Sequence, residues 1–413
     1  MLSSTWRSRS TLGVLAVGAA AALVLTGCSD KSTSSGSDSS GTNGAGGLSI
    51  QPVLQVDQQG KEVPKADAAA AADPAGDGKA TCAPGTAVAM AGALTGPDAA
   101  LGINIVNGVK LALDKHNKAN PGCKIELKQF DTEGDPQKAT QVIPQIVNDR
   151  SIIGLVGPAF SGETKATGKI LSDAGLVSVT SSATNATLTQ NGWTTFFRGL
   201  ANDDVQGPSV AKYLVNTAGY KKVCVIQDNT DYGTGLAKSI TEGLGAAADP
   251  ACAASIKKGD KDFSATVTKV AAANPDAIFY SGYYSEGAPL AQQLKSGGVK
   301  AVFVSADGTN DPQFVAQAGS AAKGAKLSCP CGPAPENFAK DYETLNGQAP
   351  GVYSVEAYDL TTILAKGIDG GKVTRPDLLD YVRTYDGAGL ARQYKWNPNG
   401  ELSNALIWVY EVK

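Results

Sequence analysis

CKIELKQFDTEGDPQKATQVIPQIVNDRSIIGLVGPAFSGETKATGKILSDAGLVSVTSSATN (residues 123–185) and ACAASIKKGDKDFSATVTKVAAANPDAIFYSGYYSEGAPLAQQLKSGGVKAVFVSADGTN (residues 251–310) read as two versions of one strand–helix–strand–helix–strand unit. The units occupy residues 120–186 and 248–311. In both, each apolar strand run ends in a small or hydroxyl-rich loop, and the loops fall at matching places. GPAFSGE (157–163) answers SGYYSEG (281–287), and TSSATN (180–185) answers SADGTN (305–310). Ligands of open parallel sheets bind outside the carboxyl ends of the strands. Two such units face to face would line a cleft from both sides, which predicts a two-lobed binder of one small molecule.

The flanking sequence keeps the same alternation. TAVAMAG (86–92) reads as a strand, followed by a helix from about Ile103 to Asn117, whose Ile105, Val109, Ala112 and His116 recur at helical spacing. Asp135-Pro136 is an N-cap with proline at the first helical position. A helix from about Asp203 to Ala218 leads into the strand KKVCVIQD (221–228), and a further helix runs from about Gly233 to Leu244. Such alternation predicts α/β architecture with right-handed crossovers and helices on both faces of each sheet. After Cys331 the pattern changes to three helices, at about 335–345, 353–368 and 375–384. The apolar runs YKW and ALIWVYEV then flank Asn399-Gly400, a hairpin turn signal.

With 413 residues the chain is long enough for two domains with cores. Its 42% hydrophobic and 18% charged content is ordinary for a soluble globule. The formal net charge of −3, with no basic stripe, argues against nucleic acid as a partner. The first residues read as a targeting segment: Arg7 and Arg9, then an apolar run from Thr11 to Leu25. That run is short for a membrane span, which takes ~20 apolar residues. Leu25-Thr26-Gly27-Cys28 resembles a bacterial lipobox, which implies cleavage before Cys28 and its diacylglyceryl modification; a plain secretory signal is the rival. Residues 28–80 would then be the lipidated cysteine and a flexible linker rich in Ser, Gly and Ala. The remaining six of seven cysteines suit disulfides in an exported chain. Their places ahead of corresponding strands predict Cys82–Cys123 and Cys224–Cys252, which leaves Cys329 to pair with Cys331. A metal at Cys-x-Cys would need more ligands.

Enzyme chemistry finds little support. The one histidine, His116, is expected at a surface or half-buried position. No G-x-S-x-G, G-x-x-x-x-G-K-[ST] or H-E-x-x-H string occurs, and Gly233-Thr234-Gly235 lacks the third glycine of a dinucleotide fingerprint. We expect neither catalysis, cofactor nor metal. The strand-end loops are better candidates for binding. Ser161, at a helix start, suits a carboxylate, although a lone serine there can simply cap its own helix. Thr184 offers a second hydroxyl, and Ser182 a carbonyl. Asp307 could hold an ammonium group through a charge-assisted hydrogen bond. Tyr232 and Tyr283 can present ring faces and hydroxyls to a small amphiphile.

The strings GALTGP, FDTEGDPQKA, VGPAFSGETKA, SSATNATLT, DDVQGPSVAKY, DNTDYGTGLA, KDFSATV, DAIFYSGYYSEG and SADGTND together resemble the branched-chain amino acid substrate-binding proteins of ABC transporters, over about residues 84–413. The resemblance implies the type I periplasmic-binding-protein fold, with two doubly wound Rossmann-like lobes around a central cleft. It implies three hinge crossovers, near 198–204, 329–332 and 387–391, and closure on ligand by hinge bending. Lobe 1 would be residues 81–203 plus 332–389, and lobe 2 residues 204–331 plus 390–413, after a signal peptide of residues 1–27. By the same resemblance Ser161 and Thr184 would hold an α-carboxylate. Ser182 would offer its carbonyl to the ammonium, Asp307 would be the counter-charge beside Tyr283, and Tyr232 would pack against the ligand. Two positions depart from the family pattern: Leu101 replaces an aromatic wall, and Asp307 replaces a glutamate. The implied protein is a lipid-anchored, extracytoplasmic monomer at the cell membrane that captures leucine, isoleucine or valine for the permease of an ABC importer. A binder of an amide, urea or aromatic acid and a ligand-sensing ectodomain are the alternatives.

Overall fold

A computed structural model describes residues 47–64, 70–403 and 406–413 of the chain. Strands β1 (Ile50–Val56) and β2 (Glu62–Val63) come first. The first unit then runs through β3 (Ala87–Gly92), α1 (Ala99–Ala119), β4 (Glu126–Asp131), α2 (Pro136–Asn148), β5 (Ile152–Val156), α3 (Ser161–Asp173), β6 (Val177–Thr180) and β7 (Phe196–Arg198). The second contains α4 (Asp203–Lys212), β8 (Val223–Gln227), α5 (Asp231–Leu244), β9 (Ala254–Ser255), α6 (Ser264–Ala273), β10 (Ala277–Ser281), α7 (Tyr284–Ser296), β11 (Val302–Ser305), α8 (Pro312–Ala318) and β12 (Lys326–Cys329). The chain ends with α9 (Glu336–Asn346), α10 (Ser354–Asp369), α11 (Arg375–Arg383), β13 (Asp386–Ala388), β14 (Gln393–Lys395) and β15 (Ile407–Val412).

Two sheets organise these elements into two lobes. One is a parallel sheet of order β4-β3-β5-β6-β7. The other has the order β2-β1-β15-β12-β11-β10-β8-β9, parallel from β12 to β9, with β15 antiparallel to β12 and β1. The two sequence units therefore fold alike: β4-α2-β5-α3-β6 in one lobe matches β9-α6-β10-α7-β11 in the other. Strands β5 and β10 are buried along their whole length, as the continuous apolar runs of a sheet covered on both faces should be. Helices α10 and α11 return from the second sheet to pack on β5 of the first. Asp135 caps α2 as expected, accepting the N–H groups of Gln137 and Lys138 at 2.6 and 2.9 Å. Among the described residues no helix is long and apolar enough to cross a membrane.

All three disulfides form in the expected pairing, with Cα separations of 4.7 Å for Cys82–Cys123, 5.4 Å for Cys224–Cys252 and 4.9 Å for Cys329–Cys331. Cys28 lies outside the described residues.

Three expectations need correction. Residues 28–80 are not a linker throughout. β1 adds an antiparallel strand to β15, and Val56 is fully buried. Farther on, the Asn120 side chain ties down the Ala75 carbonyl and the Ala80 N–H at 3.0 and 3.1 Å. The surrounding Ser, Gly and Ala hide a short apolar set, Ile50, Leu54 and Val56, whose backbone is satisfied by a neighbouring sheet edge. His116 is buried completely, with Nε2 2.8 Å from Asp369 Oδ1. The helix spacing that places it with Ile105 and Val109 outweighs its polarity, because Asp369 and Asn117 occupy both ring nitrogens. Finally, the turn at Asn399-Gly400 closes, with Trp396 bridged to Leu402 and the Ser403 N–H donating to the Lys395 carbonyl at 2.9 Å, but the second run does not continue the hairpin: β14 pairs with β13, and β15 enters the second sheet. A six-residue apolar strand gains more from burial in that sheet than from a solvated ribbon.

Candidate ligand site between the lobes

The carboxyl ends of β5, β6, β10 and β11 converge on one pocket. Its lining includes Ser161 and Ser182 from the first lobe and Tyr232, Tyr283 and Asp307 from the second. Five of the six residues expected from sequence therefore come together. Thr184 is the exception: it lies behind the pocket, wholly buried, and its hydroxyl sits beside Asp203 without a hydrogen bond of ordinary geometry to any group among the described residues. Leu101 and Ile105 of α1, with Phe160, supply an apolar wall.

Ser161 does not cap its own helix. Phe160 holds the cap position of α3, and the Ser161 hydroxyl instead accepts the Asn185 N–H at 3.2 Å. Ser182 donates to the Ala159 carbonyl at 2.6 Å, which joins the two strand-end loops of the lobe. Arg198 makes the second loop rigid. Its guanidinium, fully buried, donates to the carbonyls of Ala183 and Asn185 and pairs with Glu401, Nη2 lying 2.9 Å from Oε1. Glu163, in the first turn of α3, accepts the Phe160 N–H at 3.0 Å, and burial pushes its carboxyl up to about 7.

On the second lobe Asp307 follows β11 and is 1% exposed. Tyr232 donates to its Oδ1 at 3.1 Å and receives the Gly308 N–H at the same distance. Glycine is needed at 308, since a Cβ there would lie 2.7 Å from the Tyr232 ring. Burial raises the Asp307 carboxyl above the usual range, opposed by hydrogen bonds that begin with Tyr353. An ionised carboxylate in such a place gains most from a cation. The aromatic rings lie in series at tilted angles, Phe160 to Tyr283 at 5.0 Å and Tyr283 to Tyr232 at 5.1 Å between centroids. The lobes thus meet across the cleft through ring contacts.

Sequence reasoning missed three polar groups here. Tyr353, just ahead of α10, donates to Asp307 Oδ2 at 2.7 Å from the opposite lobe. No loop motif marks it. Asp203 begins α4, is 1% exposed, and among the described residues has no hydrogen-bond partner on either carboxylate oxygen. Burial, and then the nearby Asp307 charge, push its carboxyl far up. The doubled acid in DDVQG was its only signal. Arg198 gave none, because a basic residue after FF reads as the end of a strand. The assembled site can take a small ligand with a cationic end at Asp307, hydrogen-bonding groups at Ser161 and Ser182, and an apolar body against Leu101, Ile105 and Phe160.

Comparison with known proteins supports the fold. Residues 86–413 match the family model described as "Periplasmic binding protein". The leucine-, isoleucine-, valine-, threonine- and alanine-binding protein of Pseudomonas aeruginosa is 28% identical over 332 residues, 78% of this chain and 89% of that one. The leucine-specific-binding protein of Salmonella typhimurium is 29% identical over 332 residues, covering 78% and 90%. Among solved structures, the branched-chain amino acid transporter substrate binding protein LivJ from Streptococcus pneumoniae, in complex with isoleucine, superposes with a TM-score of 0.72 at 28% identity, over 78% of this chain and 94% of that one. The chain belongs to the periplasmic binding protein family and has its two-lobed type I fold.

Proposed function

We propose that the protein is an extracytoplasmic solute-binding protein that captures a small amino acid with an apolar side chain and hands it to an ABC importer. The observation that carries this reading is the division of labour in one pocket. Serine hydroxyls stand on one lobe, a buried carboxylate on the other, and apolar side chains close the remaining wall. Asp307 and the tyrosines would receive the ammonium group and its neighbouring carbons. Ser161, with Thr184 behind it, would serve the carboxylate end, and Ser182 would offer its backbone carbonyl to the ammonium. Leucine, isoleucine and valine are the leading ligands, because the apolar wall offers the side chain no polar partner. The buried Asp307 disfavours an aromatic acid, which would bring a second negative charge to it. Hinge closure would follow from a ligand that touches both lobes and so favours the arrangement in which they meet. Cys28 would carry the lipid that holds the protein at the membrane.

Thermal-shift and calorimetric titration with L-leucine, L-isoleucine, L-valine, L-leucinamide, benzoate and urea test the reading. The three amino acids should raise the melting temperature and bind in the micromolar range, about −8 kcal/mol. Stabilisation by benzoate or urea, with none by the amino acids, overturns it.

A further inference from the structure

Outside the pocket Lys258 crosses the cleft. Lys258 lies in the loop 256–263 of the second lobe, and its Nζ is 3.0 Å from Asp98 Oδ2, at the start of α1 in the first. The same amine reaches the Gly134 carbonyl of the first lobe at 3.5 Å. It stands 5.6 Å from the Phe160 ring centroid and 5.1 Å from that of Tyr283, within cation–π range of both. Those two rings belong to the pocket wall, one from each lobe. Lys258 does not line the pocket.

The loop that carries Lys258 is braced on its own lobe. Its backbone N–H donates to Asn229 Oδ1 at 2.8 Å, and the next N–H, of Gly259, donates to Glu286 Oε1 at 2.9 Å. The amine therefore moves with the second lobe. Asp98 is the more telling partner. Its side chain is 1% exposed, and neither oxygen has any conventional hydrogen-bond partner among the described residues. When the lobes meet, Asp98 leaves water and depends on Lys258 for compensation. Another ion pair across the cleft is less demanding. Lys165 to Asp231, at 2.6 Å, is an exposed ion pair.

We propose that Lys258 and Asp98 are a cross-cleft positioning pair that sets how tightly the joined lobes retain ligand, acting through the Phe160 and Tyr283 rings without touching the ligand. The proposal rests on the binding function argued above for its ligand readout. With both partners present, joining the lobes exchanges two solvated charges for one pair of a half-buried lysine and a buried carboxylate, flanked by aromatic faces. With Lys258 removed, joining the lobes buries a bare carboxylate, the costly half of a broken pair. The equilibrium then shifts toward separated lobes, and apparent affinity falls by the fraction of binding-competent protein lost. With both charges removed the penalty disappears. The pair thus predicts a specific non-additivity that mere loss of packing does not.

The test titrates L-leucine calorimetrically into the wild type, Lys258→Met, Asp98→Asn and the double variant. Lys258→Met should weaken binding by ~10-fold or more and speed ligand release, with the melting temperature of ligand-free protein nearly unchanged. The double variant should recover most of that loss. Affinity of Lys258→Met within twofold of wild type, or a double variant as weak as the summed single effects, overturns the proposal. Should the wild type fail to bind L-leucine, the functional reading falls. The pair is then judged by inter-lobe distances from spin labels on Lys169→Cys and Lys238→Cys, two exposed sites on opposite lobes. A wider separation in Lys258→Met that returns in the double variant supports the pair, and four identical distributions overturn it.

Discussion

The Tyr353 hydroxyl, from the first lobe, lies 2.7 Å from Oδ2 of Asp307, on the second. Tyr232 occupies the other oxygen at 3.1 Å, so each side of the carboxylate takes one tyrosine, and the two tyrosines come from different lobes. A carboxylate has about four acceptor positions, and a cation can still use the rest. Tyr353 has φ of +70°, the left-handed region that costs a non-glycine residue on the order of 1–2 kcal/mol. Backbone held in that state at a ligand site is strain retained by the surrounding contacts.

Replacing Tyr353 with Phe removes one hydrogen bond to a charged group and leaves the ring in place. L-leucine affinity should fall ~10-fold, about 1.4 kcal/mol, by calorimetry. Unchanged affinity would mean that Tyr353 merely packs there.

Asp307→Asn keeps the size of the side chain and deletes its charge. Loss of the ammonium partner should reduce L-leucine binding ~100-fold or more, with the circular dichroism spectrum preserved. Ser161→Ala should cost ~10-fold for L-leucine and less for L-leucinamide, which lacks the carboxylate. Equal losses for the two ligands would remove Ser161 from the carboxylate end.

Asp203 carries a prediction for stability. Its carboxyl is raised by burial and by Asp307, so its ionised form opposes folding near neutral pH. Asp203→Asn should therefore raise the melting temperature of ligand-free protein. A variant that melts lower than wild type without ligand would show that Asp203 is satisfied in a way its isolated oxygens do not suggest.

The paired units were legible because parallel strands announce their carboxyl ends. Ser161, Ser182, Tyr283 and Asp307 all sit within a few residues of a strand end, where small and hydroxyl-bearing side chains interrupt apolar runs. Tyr353 and Lys258 were not legible for the complementary reason. Each acts through a partner distant in sequence, Asp307 for Tyr353 and Asp98 for Lys258, and nothing in the local pattern distinguishes it from a surface residue. β1 was hidden in another way. Its register includes a bulge between Pro52 and Leu54, which breaks the alternation that would have marked a strand. The histidine misled because polarity was weighed above periodicity, while Asp369 waited 253 positions away.

Glu163 makes the pH dependence of the fold testable. Its carboxyl sits at about 7 in the folded protein against an ordinary 4.5, chiefly because it is buried. Between those values the folded state keeps a proton that the unfolded chain has released. The unfolding free energy should therefore decrease as pH rises from about 4.5 to about 7 and level off above, with Glu163 contributing on the order of 3 kcal/mol to the change. Glu163→Gln retains an acceptor for the Phe160 N–H, 3.0 Å away in the wild type, and cannot ionise. Urea unfolding at pH 5, 6, 7 and 8 should show a smaller decline for the variant, with the two proteins nearest in stability at pH 5 and the variant ahead at pH 8. Parallel curves would mean that the carboxyl is not the group that titrates. Because Phe160 lies directly before Ser161 and walls the pocket, the variant should also bind L-leucine with less change in affinity across the same pH range.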